Sequence, residues 1–177
     1  MAEPVFQIVV MGVSGCGKST VSAAIARELG LDVTDGDDLH LPASVEKMRS
    51  GIPLQDSDRW PWLDRIGQHL AQAQTVGRGR VIACSALKRD YRDRIRHLAP
   101  EVRFVFLQGS AALIRERLSA RQGHYMPPEL LDSQFRTLQV PTADEVDVIT
   151  VPIDQALDAL VAQARAGLVS LATSPTD

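Results

Sequence analysis

The chain has 177 residues, 45% of them hydrophobic, which is enough for one well-buried core and too short for two ordinary domains. Its net charge of −3 provides no basic field for a nucleic-acid backbone, so small molecules are the expected partners. No run approaches the ~18 apolar residues of a membrane span, the apolar start carries Glu3 and no basic region of a signal peptide, and Cys16 and Cys84 suggest neither a disulfide framework nor a metal cluster. A reducing cytoplasm is the expected compartment.

Residues 6–20 read FQIVVMGVSGCGKST. Ile8, Val9 and Val10 predict a buried strand, and Val21, Ile25 and Leu29 repeat at helical spacing after it. Between them, Gly12, Gly17, Lys18 and Ser19 fit G-x-x-x-x-G-K-[ST], a loop whose backbone N–H groups turn inward around phosphate oxygens. The helix start adds free N–H groups and a positive dipole end, Lys18 supplies a cation for the outer phosphates, and the Ser19 hydroxyl can ligate Mg²⁺. The sequence therefore predicts a nucleotide-phosphate site over Gly12, Val13, Ser14, Gly15, Cys16, Gly17, Lys18, Ser19 and Thr20.

A brief strand over Leu31–Thr34 ends in DGDDLH, where Asp35, Asp37, Asp38 and His40 crowd a turn. In open α/β sheets the ligand crevice lies beyond the carboxyl ends of the strands, so this acidic cluster and the phosphate loop should share one mouth. A short helix stopped by Gly51 follows, then the turn-rich IPLQDSD. A longer helix is expected from about Arg59 to Thr75, capped by Ser57 or Asp58, with Pro61 in its first turn and Leu63, Ile66, Leu70 and Ala73 as its core stripe.

Val81–Cys84 predicts a third strand, ending in SALKRDYRDR with Ser85 and Lys88 at its carboxyl end. Next come a helix over about Lys88–Leu98, a strand over Arg103–Gln108 and a helix over Ala111–Arg121 bearing Arg115, Arg117 and Arg121. Arg115 reads as a solvated residue. QGHYMPPE is either a mobile lid or an ordinary connector. A helix from Pro128 to about Leu138, a fifth strand over Val146–Val151 and a last helix capped by Asp154 complete the chain, with a disordered TSPTD tail. Five strands alternating with helices imply an α/β fold, a parallel sheet covered on both faces. The expected organisation is a single domain over residues 1–172 with a tail over 173–177.

Phosphoryl transfer needs in-line positioning, charge neutralisation and an oriented acceptor hydroxyl. Lys18 and a Ser19-bound Mg²⁺ would handle the phosphates, while Asp35 and Asp37 could divide between metal and acceptor. Asp38 is left as a turn residue. Arg59, Lys88 and His40 around the same opening would suit an anionic polyol, since a guanidinium grips carboxylate bidentately. Alternatively, Arg59 closes a helix-start ion pair with Asp56 or Asp58, and His40 is an ordinary surface histidine.

GVSGCGKST, DGDDLH, EKMRSGIPLQDSDRWPWL, CSALKRDYRD, RLSARQGHYMP and LQVPTADEVDVITVPIDQ together resemble gluconate kinases of the phosphate-loop type across nearly the whole chain. Shikimate kinases are similar to these as structural cousins. The resemblance implies a three-layer P-loop kinase fold with a small lid at about residues 120–130. It also implies ATP- and Mg²⁺-dependent phosphorylation of D-gluconate at the 6-hydroxyl, and a homodimer. By the same resemblance, Asp35 serves the metal, Asp37 engages the acceptor hydroxyl, and His40, Arg59, Ser85 and Lys88 line the gluconate site. Arg117 would pack on adenine beside residues 152–154, and Arg121 would reach the phosphates. Arg49 and Arg136 match no role. The third strand ends in Cys84 and Ser85 where many phosphate-loop proteins have a metal-holding aspartate, which throws more of the metal duty onto Asp35.

Overall fold

The computed structural model describes residues 4–121 and 127–174. Five strands, β1 (Gln7–Met11), β2 (Asp32–Asp35), β3 (Arg80–Ala83), β4 (Val102–Gln108) and β5 (Val148–Pro152), form one sheet in the order β2-β3-β1-β4-β5. Every pairing is parallel. β1 lies at the centre with all five residues buried, as its uninterrupted apolar run predicts for a strand covered on both sides.

The pleat divides the core. Ile8 and Val10 point to a cluster with Ile25, Ile114, Val161 and Leu168, under α1 (Lys18–Leu29), α5 (Ala111–Ala120) and α7 (Leu157–Thr173). Val9 and Met11 point the other way, to Trp62, Leu63, Ile66, Tyr91 and Ile95 of α3 (Asp56–Thr75) and α4 (Arg89–Leu98). The short α2 (Pro42–Arg49) and α6 (Pro128–Thr137) complete the α-helices among the described residues. The result is the expected three layers. Residues 122–126, the centre of the expected lid, lie outside the described residues, as do residues 175–177 of the expected tail.

Several element ends differ from the sequence expectation. α3 begins at Asp56, three residues early, with neither Ser57 nor Asp58 on its flank. Asp58 caps it from inside instead: its Oδ2 accepts the Gln55 N–H at 2.9 Å, one half of a capping box. Pro61 consequently sits in the second turn, not the first. α7 starts at Leu157 behind Ala156, so Asp154 caps nothing, and it continues through Thr173 into the expected tail. Arg115 is not merely solvated, since it pairs with Asp132 and ties α5 to α6.

A buried ion pair supports the chain after β3. Arg92, fully buried on α4, donates Nε and Nη2 to the two oxygens of Glu145 at 2.8 and 2.9 Å. Its Nη1 reaches the carbonyls of Ala86 and Leu87 at 3.0 and 3.2 Å. Ala86 has a left-handed φ of 44°, a strained conformation for a residue with a Cβ, and Arg92 holds it between Ser85 and Lys88.

Candidate active site

The phosphate loop follows β1 into the carboxyl end of the sheet. Gly17, at the N-cap of α1, has φ 99°, a conformation closed to most L side chains, and this lets the loop turn directly into the helix. The Gly12 N–H donates to the Ser85 carbonyl at 3.2 Å, fastening the loop to the end of β3. Lys18 arches back, its Nζ donating to the carbonyls of Gly12 and Val13, each at 3.0 Å. Val13 and Cys16 are buried in the core beneath. Burial pushes the Cys16 thiol up, outweighing the opposing Lys18 charge.

A cavity of about 440 Å³ opens over the loop, lined by Ser14, Gly15, Gly17, Lys18 and Ser19 on one side and by Asp35, Asp37, Cys84 and Ser85 on the other, with Arg121 and Gln134 at its edge. Phosphate loop and acidic cluster therefore do share one mouth. A second cavity of about 410 Å³ lies on the far side of Gly15 and Gly17, lined by Cys16, Thr20, Arg117, Arg121, Ile153 and Gln155. Arg117 donates Nη2 to the Ile153 carbonyl at 2.5 Å, which lays its guanidinium along this second wall. Planar guanidinium beside apolar side chains suits a nucleobase.

The acidic turn is built by a 3₁₀ segment over Gly36–Leu39. Asp35 Oδ1 accepts the Asp37 N–H at 3.0 Å, capping the segment and holding both carboxylates at the cavity. Gly36 fits because a Cβ there would lie 2.3 Å from the Ala83 carbonyl oxygen. Trp62 Nε1 donates to the Gly36 carbonyl at 2.7 Å, clamping α3 to the turn. Asp37 is wet, yet the protein crowded around it raises its carboxyl above the usual carboxylate range, and the Asp35 charge adds to the rise.

His40 does not line the cavity. Its ring stacks on Trp62 with centroids 4.2 Å apart, and its Nε2 lies 4.0 Å from Asp37 Oδ1. Burial lowers its titration below the ordinary imidazole value, outweighing the opposing Asp37 charge, and the Arg59 charge lowers it further. Arg59 and Lys88 also stand off the cavity wall, held by Asp56: Arg59 Nη1 at 3.1 Å from Oδ1 and Lys88 Nζ at 3.2 Å from Oδ2. Tyr91 donates its hydroxyl to the same Asp56 Oδ1. The helix-start ion pair is thus realised, as one part of a basic cluster around Asp56. Arg49 and Arg136 are exposed.

Sequence reasoning missed Gln134, whose carboxamide bonds Ser14, and Trp62, which sets the turn. It had named Asp56 solely as an ion-pair partner. An amphipathic helix gives no sign that one of its polar residues reaches a loop 120 positions away.

An AAA-domain family model matches residues 8–141. The chain is 46% identical over 154 residues to the thermoresistant gluconokinase of Escherichia coli strain K12, covering 87% of this chain and 88% of that one. The crystal structure of a gluconokinase from Sinorhizobium meliloti 1021 superposes with a TM-score of 0.86 at 49% identity, over 94% of this chain and 93% of that one. Shikimate kinase from Aquifex aeolicus, 14% identical, covers 96% of this chain and 100% of its own with a TM-score of 0.59, and shares the fold alone. Phosphate loop, acidic turn and these likenesses agree: the chain belongs to the gluconokinase family of P-loop kinases.

Proposed function

We propose that this chain catalyses the ATP-dependent phosphorylation of D-gluconate at its 6-hydroxyl, giving 6-phosphogluconate and ADP. The observation that carries the reading is the single cavity in which Lys18 and Ser19 face Asp35 and Asp37. ATP would lie with its base along Arg117 and its terminal phosphate between the loop and the acidic pair. Asp37, whose carboxyl the surrounding protein raises above the usual carboxylate range, accepts the proton of the attacking hydroxyl. The acceptor oxygen bonds to the terminal phosphorus, the bond to the bridging oxygen breaks, and ADP leaves with that electron pair. Lys18 and Arg121 offset the charge on the phosphates. Arg59 and Lys88, gathered around Asp56, would take the gluconate carboxylate in competition with it. Ser85 would hold a sugar hydroxyl.

The donor set suits Mg²⁺. Ser19 and Asp35 are hard oxygen donors lining the same cavity, and among the described residues no group of three or more His, Cys, Asp or Glu side chains could cage a metal. That matches a cation held by one or two protein oxygens, phosphates and water. When bound, Mg²⁺ would neutralise phosphate charge. The reading includes a homodimer working in the cytoplasm. Supporting the compartment, both cysteines are buried free thiols, and among the described residues no helix is long and apolar enough to cross a membrane.

NMR of the product tests the regiochemistry. The phosphate is expected on the 6-oxygen, and a phosphate elsewhere on the acid would overturn that part of the proposal.

A further inference from the structure

Gln134 on α6 grips the phosphate loop at two points. Its Oε1 accepts the Ser14 N–H at 2.7 Å, and its Nε2 donates to Ser14 Oγ at 2.9 Å. Ser14 and Gln134 line the cavity that holds Asp35 and Asp37, and neither lines the cavity of Arg117 and Ile153. Ser14 is thus at the acceptor end of the loop, where the last phosphate of a nucleotide must lie if its base is at Arg117. The carboxamide oxygen and a phosphate oxygen therefore compete for one N–H. The phosphate is the stronger acceptor, because hydrogen bonds to an ionised oxygen are roughly twice as strong as neutral ones.

We propose that Gln134 positions the transferred phosphoryl group. On binding of a nucleoside triphosphate, Oε1 yields the Ser14 N–H to the terminal phosphate, and the carboxamide turns so that Nε2 donates to that same phosphate. A diphosphate does not reach Ser14, so the Gln134–Ser14 pair persists in the product complex. Gln134 thereby reads whether the site holds a triphosphate. In the transfer step it adds a neutral donor to equatorial oxygens that already face Lys18, favouring in-line geometry without trapping the product by a further charge. The inference rests on the cavity taking ATP, as proposed above, and not on the identity of the acceptor.

The test measures binding of ADP and of a non-hydrolysable ATP analogue, each with Mg²⁺, to the full-length protein by calorimetry, alongside steady-state kinetics. Gln134→Ala should weaken the analogue about tenfold and ADP less than about twofold, with kcat falling at least about tenfold and KM for gluconate nearly constant. Gln134→Glu should weaken the analogue further, because its carboxylate keeps the Ser14 N–H and repels phosphate. That loss should recover as pH falls and the new carboxyl is protonated, a signature that a purely structural role would not produce. Equal loss with both nucleotides, no loss, or tighter binding of the analogue overturns the proposal. Wild-type protein that binds the analogue but phosphorylates no gluconate would contradict the gluconate reading alone, and the comparison of the two nucleotides would still decide the role of Gln134.

Discussion

Asp35 Oδ1 accepts the backbone N–H of Asp37 at 3.0 Å, so the residue assigned to the metal also sets the position of the residue assigned to the acceptor. Their closeness has an electrostatic result: after desolvation by the surrounding protein, the Asp35 charge is the largest influence raising the Asp37 carboxyl. A base must be ionised to work, so kcat/KM should fall with decreasing pH through a pKa above the ordinary aspartate value of about 3.9. Asp35→Asn removes the like charge and should move that acid limb to lower pH. A pH–rate profile checks this, and an unmoved limb would show that Asp35 does not tune Asp37.

Asp37→Asn should lower kcat by about 10²–10⁴ while nucleotide affinity stays within about twofold. The same change should raise the melting temperature measured at neutral pH. A carboxyl whose folded-state pKa is raised opposes folding once it ionises, so deleting the charge relieves the fold above that pKa. Survival of turnover would remove Asp37 as the base.

Arg59 donates to Asp56 and lies with its guanidinium carbon 5.8 Å from the Tyr91 ring centroid, and its planar fork can grip a carboxylate bidentately where the point charge of a lysine cannot. Arg59→Lys should raise KM for gluconate about tenfold and leave KM for ATP nearly unchanged. Steady-state kinetics with each substrate varied in turn checks it. A defect on the ATP side would detach Arg59 from acceptor recognition.

Stability should depend on the buried pair behind the chain that follows β3. Burial alone would raise the Glu145 carboxyl, but hydrogen bonds from Arg92 and Arg96 outweigh it and hold it down at about 2. Unfolded, it would titrate near about 4.3. The pair's stabilisation is therefore complete above that value and is lost as pH falls toward 2. Glu145→Gln leaves Arg92 buried without its countercharge and should cost about 3–5 kcal/mol in urea unfolding at pH 7. A loss under about 1 kcal/mol would mean that Arg92 finds enough from the carbonyls of Ala86, Leu87 and Gln139.

Local signals with a fixed physical meaning were readable from the sequence. The apolar run of β1, the glycine-lysine-serine spacing and the periodic stripe of α3 each specify their element without help from distant residues, and the phosphate loop and acidic turn meet because parallel strands bring their carboxyl ends to one edge. What was not legible depended on contacts across the fold. The start of α3 was misplaced because Asp58 caps from within the helix, a role that looks the same as flanking in the sequence. The stacking of His40 on Trp62 is a contact across the fold that no local signal announces. The sequence groups Arg59 and Lys88 around one opening, but it does not show that Asp56 and Tyr91 tie them into one hydrogen-bonded cluster. Gln134 carries no local signature, since its partner is 120 positions away.

The most direct measurement of the central claim is ADP release by the purified protein with ATP and Mg²⁺, using gluconate, shikimate, other sugar acids, neutral sugars and no acceptor in parallel. Strong stimulation by gluconate, with little from neutral sugars or shikimate, is the predicted result. Nucleotide binding without stimulation by any acceptor would mark a regulatory nucleotide-binding module, and stimulation only by an acceptor other than gluconate would contradict the assignment of the substrate.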